Sequence, residues 1–449
     1  MAQLALVVIL IVFGVSGYAW SSESGIPDGI TRNNQATASD IKNMTLTLDT
    51  VLRRTLADNP ALTAFAYEVK VREFETRQAG IIPNPELSFE VANIGGDGEY
   101  SGTGSAETTF SVSQLVELGG KRAQRMNVGQ LRVGLAQGEY ESLRFQVMSE
   151  AAKQFYSVLA VKRKLGLANE KLRLNKKTLT NVQERIATGK AAEIEQFRFQ
   201  TLVSVSELQY EQAQRNFDTE IRTLARYWGS ETIDFNSVVG DLEQINPVPA
   251  WEEMISGLAQ SPLMRRLEQA VLLAAQQLQL EKTKQIPDVT LSLGVKNDRT
   301  TSDNAIMAGI SVPIQFFDRN QHMVAVAQSR ETQVKSKIKA ELLQLKADLY
   351  RQWQQLHFLY REVTTMRDQI IPALQRAYDG MAYGYLTGKF GSLEVLDAER
   401  ELSAAKENYI DSLLSYQHTV ATIEQRLGRS LDPRADLTAQ ISLKEESYE

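Results

Sequence analysis

The sequence predicts a mainly α-helical, internally duplicated protein of long antiparallel coiled-coil hairpins, with a small β part of four strands. Three observations predict it: repeated landmarks, two very long helical stretches with a seven-residue apolar period, and two pairs of alternating segments. The repeat comes first. Thr188-Gly189-Lys190 recurs as Thr387-Gly388-Lys389, an offset of 388 − 189 = 199. Pro60 is echoed by Pro262 (262 − 60 = 202) and Pro83 by Pro287 (287 − 83 = 204). "FSVSQ" at Phe110 matches "ISVPI" at Ile310, and "RYWGS" at Arg226 matches "QRLGRS" at Gln425. Landmarks kept in one order mark a tandem duplication of about 200 residues.

Taken in order, residues 1–19 are an apolar run closing on Gly17-Tyr18-Ala19, the pattern of a signal peptide cut after Ala19. The run holds no Lys or Arg, and an uncleaved membrane anchor is the alternative. Residues 20–43, rich in Ser, Thr, Asn and Gly, read as a mobile leader. The first repeat covers 44–229: a helix over 47–79, strands over about 86–94 and 108–117, a long helix, a tip at 188–192 and a return helix. A linker at 230–250 leads to the second repeat, 251–428, and a tail at 429–449. That repeat has a helix over 251–285, strands over about 288–298 and 305–317, a long helix, a tip at 387–391 and a return helix.

The helical stretch from Lys121 to Ala187 is 67 residues and that from His322 to Leu386 is 65. Each spans roughly 100 Å at 1.5 Å per residue. Leu342, Leu349, Leu356, Val363, Ile370 and Ala377 recur every seven residues. Leu345, Leu359 and Met366 fill the second apolar position, with Gln352 the polar exception. Past the break, Leu402, Tyr409, Tyr416 and Ile423 keep the same period, as do Leu413, Val420 and Leu427. A period of 3.5 supercoils two helices left-handed. Gly189 and Gly388 then supply the positive φ that leaving a helix needs, and become the tips of two antiparallel hairpins.

In the strand segments Leu87, Phe89 and Val91 alternate with Ser88, Glu90 and Ala92, and Ile306, Ala308 and Ile310 alternate with Gly309 and Ser311. Each pair flanks a Gly/Ser/Asp-rich loop, and the strand length suits a tilted crossing of a bilayer. A half-buried soluble sheet shows the same alternation. Four strands cannot close a barrel, and open edges cannot face lipid. Membrane-spanning strands here require several copies; three would share a twelve-stranded barrel from which the helices project as a tube.

Composition removes other classes. Lys+Arg 49 against Asp+Glu 55 gives −6, with no basic stripe for nucleic acid. Without cysteine there is no thiolate site, disulfide or lipidated cysteine, and His322, His357 and His418 are too dispersed for a ligand cluster. "LGGKR" at 118–122 lacks the spacing and the Ser/Thr of a phosphate loop, and no catalytic motif or cofactor is indicated.

"VELGGKRAQR" at 116–125, "VPIQFFDRNQ" at 312–321 and "YLTGKFGSLEVLDAERELSAAKENY" at 385–409 resemble the TolC-type outer-membrane factor family, over essentially the whole chain after the leader. The first two resemble its CzcC-like branch, the outer-membrane components of cobalt–zinc–cadmium efflux systems. The resemblance implies a homotrimeric conduit in the outer membrane of a Gram-negative cell, reaching into the periplasm. It also implies a periplasmic membrane-fusion adaptor and an inner-membrane RND pump as partners. The branch commonly has glycine where this chain has His322, whose readings are a helix-start or stacking role and, beside Met323, a metal role. In the family, acidic residues just past the tip glycine face the lumen. Here they are Glu394 and Asp397, matched by Glu195 in the first repeat; the bland reading is a solvated helix face. Lys190 and Lys389 flank the tip glycines as adaptor contacts, and Phe390 stands where some relatives have an arginine that ties the mouth closed. The other readings of the chain are a drug, organic-solute or type I secretion duct, and a periplasmic coiled-coil adaptor.

Overall fold

The computed structural model describes residues 45–431 except Asp234 and Asn236. The signal peptide and leader expected at 1–43, and the tail beyond 431, lie outside the described residues. The first repeat runs β1 (Thr45–Leu46), α1 (Leu48–Asp58), α2 (Pro60–Ala79), β2 (Glu86–Ala92), β3 (Glu107–Val116), α3 (Lys121–Ala187) and α4 (Glu193–Ala225). β4 (Ser237–Val238) lies in the connection and pairs in parallel with β1. The second repeat runs α5 (Trp251–Ala259), α6 (Pro262–Thr283), β5 (Val289–Asp298), β6 (Asp303–Ser311), α7 (Gln321–Thr365), a π-helical turn (Met366–Ile370), α8 (Ile371–Leu386) and α9 (Ser392–Leu427).

The helices expected over 47–79 and 251–285 are each two. A proline forces extended backbone before it, and a polar residue at that point caps the next helix. Asn59 Oδ1 accepts from the N–H groups of Ala61 and Leu62, and Ser261 Oγ accepts from Met264.

The second long helix also departs from a single seven-residue register. Leu349, Leu356 and Val363 are buried, but Ile370 and Ala377 are exposed. The buried seam resumes one residue later, through Ile371 and Tyr378 to the buried Tyr385. The π turn takes up the extra residue: Ile371 N–H bonds to Met366 O, five residues back. Pro372 explains its position, since proline lacks an N–H and crowds the carbonyl four residues before it.

The four longer strands form one antiparallel sheet in the order β2-β3-β5-β6. Phe89 lies opposite Phe110, Phe110 opposite Val295 and Val295 opposite Ile306, so one line of apolar side chains crosses the sheet. On that face Phe89 is 60% exposed and Ile306 81%. The opposite face carries Ser88, Ser111, Ser113, Ser292 and the Glu107–Lys296 ion pair. β6 stops at Ser311 instead of running toward 317, because Pro313 cannot donate to a ladder. The outer edges of β2 and β6 have no strand beside them among the described residues.

Buried residues gather where the repeats meet the connection. Phe155, Val158, Leu224 and Trp228 enclose Leu46 and Val51 in the first repeat, while Met254, Leu349, Leu356 and Ile423 form a separate cluster in the second. Ala160, Val363, Tyr409 and Leu413 join the halves. The connection is pinned by side chains: Tyr416 OH bonds both the N–H and C=O of Asn246, and Trp353 Nε1 donates to Pro249 O. Beyond this zone α4 packs back along α3, and α9 packs back on α7 and α8.

Candidate functional site

Both chain reversals at the hairpin ends are Schellman motifs. Lys190 N–H bonds to Arg185 O at 2.8 Å and Gly189 N–H to Ile186 O at 2.9 Å. In the second repeat Lys389 N–H bonds to Gly384 O at 2.8 Å and Gly388 N–H to Tyr385 O at 3.1 Å. The motif needs its penultimate residue left-handed, and Gly189 and Gly388 have φ of +69° and +78°. Lys190 and Lys389 are exposed.

The structure ties the two tips of one chain together through Glu195, a candidate from sequence, and through Arg185 and Tyr385, which sequence reasoning missed. Tyr385 OH donates to Glu195 Oε2 at 3.0 Å, and Arg185 Nη1 donates to Tyr385 O at 2.9 Å. The Arg185 guanidinium lies 4.6 Å from the centre of the Tyr385 ring. Arg198 Nη1 reaches Ser392 Oγ at 3.4 Å. Burial lifts the Tyr385 hydroxyl above its ordinary value, and the Glu195 carboxylate lifts it further against the opposing Arg185, so it stays a donor. Glu195 is thus held within the protomer, whereas Glu394 and Asp397 are exposed. Asp397 pairs with Arg400 at 2.6 Å, and Glu394 folds back over Gly391 at the positive end of α9.

The tips also carry exposed apolar side chains. Ile194, Phe197, Tyr383, Leu386 and Leu393 are exposed beside Phe390, whose ring lies against Gly384 where a Cβ would overlap it. Gly384 is the counterpart of Arg185 at the tip offset, 384 − 185 = 199. The two tips have diverged so that one carries the cation and the other the space for an aromatic ring. That comparison of the repeats was the available signal for Arg185.

The motifs at 116–125 and 312–321 build the joint between sheet and helix. Gly120 (φ +72°) and Asn320 (φ +58°), 320 − 120 = 200 residues apart, turn the chain into α3 and α7. Lys121 Nζ and Leu118 N–H both donate to Asp288 Oδ1, at 2.7 and 3.0 Å. Arg125 grips Glu117 with two bonds, and Asn320 Nδ2 donates to Glu281 Oε2 at 2.9 Å. The Arg125 hydrogen bond holds the Glu117 carboxyl below its usual value. Burial works against ionisation of Asp288, but the bonds from Lys121 and Leu118 outweigh it and hold that carboxyl low as well. His322 stands exposed in the first turn of α7. Among the described residues no group of three or more His, Asp and Glu is placed to hold a metal ion.

The profile described as outer membrane efflux protein matches residues 51–230 and 256–429. The chain belongs to the outer membrane efflux protein family. This efflux protein is 27% identical over 384 residues to the cobalt-zinc-cadmium resistance protein CzcC of Cupriavidus metallidurans, covering 86% of this chain and 90% of that one. It is 25% identical over 297 residues to the nickel-cobalt-cadmium resistance protein NccC of Alcaligenes xylosoxydans xylosoxydans, covering 66% and 67% of the two chains. Its fold matches a CusC structure with TM-score 0.73 at 17% identity, over 85% of this chain and 92% of that one. It also matches the outer membrane protein VceC of Vibrio cholerae with TM-score 0.68 at 15% identity, over 86% and 97%. The efflux protein is an exit duct of the outer membrane that extends into the periplasm.

Proposed function

We propose that three copies close one twelve-stranded barrel, that their hairpins pack as coiled coils into a periplasmic tube, and that heavy-metal cations leave the cell through it. A periplasmic adaptor docked on the tips around Gly189, Lys190, Gly388 and Lys389 joins the tube to an inner-membrane RND pump. One observation carries the assembly: among the described residues, a sheet with an exposed apolar face has two free edges, which lipid cannot satisfy and a neighbouring copy can. The cargo reading rests on the names of the metal-resistance relatives and on Glu394 and Asp397 near the mouth. Three copies bring six carboxylates there, a lining that favours cations over anions.

A relative named pyoverdine export outer membrane protein OpmQ, of Pseudomonas aeruginosa, is 22% identical over 409 residues, and supports organic solutes as the second reading. Deleting the chain from its host separates the two. Loss of growth in zinc, cobalt or cadmium, with unchanged tolerance of organic solutes, supports metal export; the reverse pattern overturns it. Native mass measurement of the detergent-solubilised protein tests the trimer independently.

A further inference from the structure

At the foot of the hairpins, Gln352 interrupts the apolar seam and lines an open hollow of about 330 Å³ between α3, α7 and α9, in which no lining residue is apolar. Lys153 enters from α3, Arg351 and Gln355 from α7, and His418 and two threonines from α9. Positive charge is in excess. Asp348 serves both Arg351 (3.2 Å) and Arg426 (3.8 Å), and Lys153 makes no ion pair among the described residues. Burial pushes the Lys153 ammonium below its ordinary value, with Glu150 opposing and Arg426 assisting. Gln352 Oε1 is buried without a hydrogen-bond partner, and turning that amide over would put N–H donors in its place. His418 Nε2 donates to the Lys153 carbonyl at 3.0 Å, which fixes the ring at the wall of the hollow.

We propose that this hollow binds one small oxyanion of the phosphate class, held by Lys153 and Arg351 with the Gln352 and Gln355 amides completing its hydrogen bonds. The volume admits such an ion with several waters at about 30 Å³ each. The donors are those that phosphate oxygens take: ammonium, guanidinium and amide N–H. Lys153 is 153 − 121 = 32 residues along α3 from the sheet joint. At 1.5 Å per residue that is roughly 50 Å, out of reach of a lipid headgroup, so the ion comes from solution. Bound there, it cancels surplus positive charge on the helical wall, whichever cargo the duct carries.

The probe is inorganic phosphate, titrated calorimetrically into the full-length detergent-solubilised protein at an ionic strength fixed with sodium chloride. Wild type should show one saturable site per chain. Lys153→Met, which keeps the apolar stem, should weaken binding about tenfold or more, as should Arg351→Gln. Arg351 is largely exposed, so the second variant tests the site with no risk to folding. Absence of saturable binding by wild type, or undiminished binding by Arg351→Gln, overturns the proposal. Neither result depends on the trimer or on metal export.

Discussion

Tyr385 on α8 donates a 3.0 Å hydrogen bond to Glu195 on α4, so the tip of the second hairpin is latched to that of the first. The latch depends on register. Had the seam kept its period through Ile370 and Ala377, residue 384 would stand on it, and that residue is glycine. The π turn brings Tyr385 there instead. Tyr385→Phe keeps the ring under Arg185 and removes only the hydroxyl, a loss of about 1–2 kcal/mol at the tip. Faster proteolysis at residues 186–196 and 383–394, with the barrel intact, is the expected outcome, and unchanged cleavage rates would show that the latch does not hold the tips.

The tip glycines test the turn itself. A β-branched residue at φ near +70° costs about 1–2 kcal/mol or more per site. The Gly189→Val, Gly388→Val double variant should assemble its barrel but lose coupling to the adaptor. Full efflux from it would reduce the tips to ordinary turns.

The proposed acidic mouth can be examined in planar bilayers. Glu394→Gln and Asp397→Asn change exposed side chains of the same shape and should leave stability within about 0.5 kcal/mol. Together they should lower the cation preference of single channels and weaken block by divalent cations. Unchanged selectivity and block would place both residues on solvated surface. Asp397 should contribute less than Glu394, because Arg400 already lies 2.6 Å from it.

The joint predicts a dependence on acid. Glu117 and Asp288 have folded values below their unfolded ones, so their contribution is complete above about pH 4.5 and is lost as pH falls through the lowered values. Burial pushes His418 down too, the same sign for a base: its contribution is present above about pH 6.5 and fades as pH falls below it. Thermal melting should therefore weaken in two steps on acidification, and His418→Gln should remove the upper one. Asp288→Asn, which leaves Lys121 without its anion, should cost about 2–3 kcal/mol at neutral pH. A melting temperature independent of pH from about 2 to 7 would show that neither step exists.

The sequence by itself determined the duplication, the long helices, the alternating strands and the glycine tips. Each of these rests on a local rule: a period of two or seven, a proline, or a residue free to take positive φ. The same rules do not tell a lumen from a solvated face, so Glu394 and Asp397 were legible as a pair on a helix but not as a pore lining. Tertiary structure alone decided the residue-by-residue pairing. Glu195 meets Tyr385 across 190 residues and Asp288 meets Lys121 across 167. It also revealed the slip at Met366–Ile370, because Ile370 and Ile371 are equally apolar and only packing decides which is buried. A seven-residue pattern is blind to a shift of one when both frames offer a hydrophobic side chain; the partner helix, which accepts only one of them, is not.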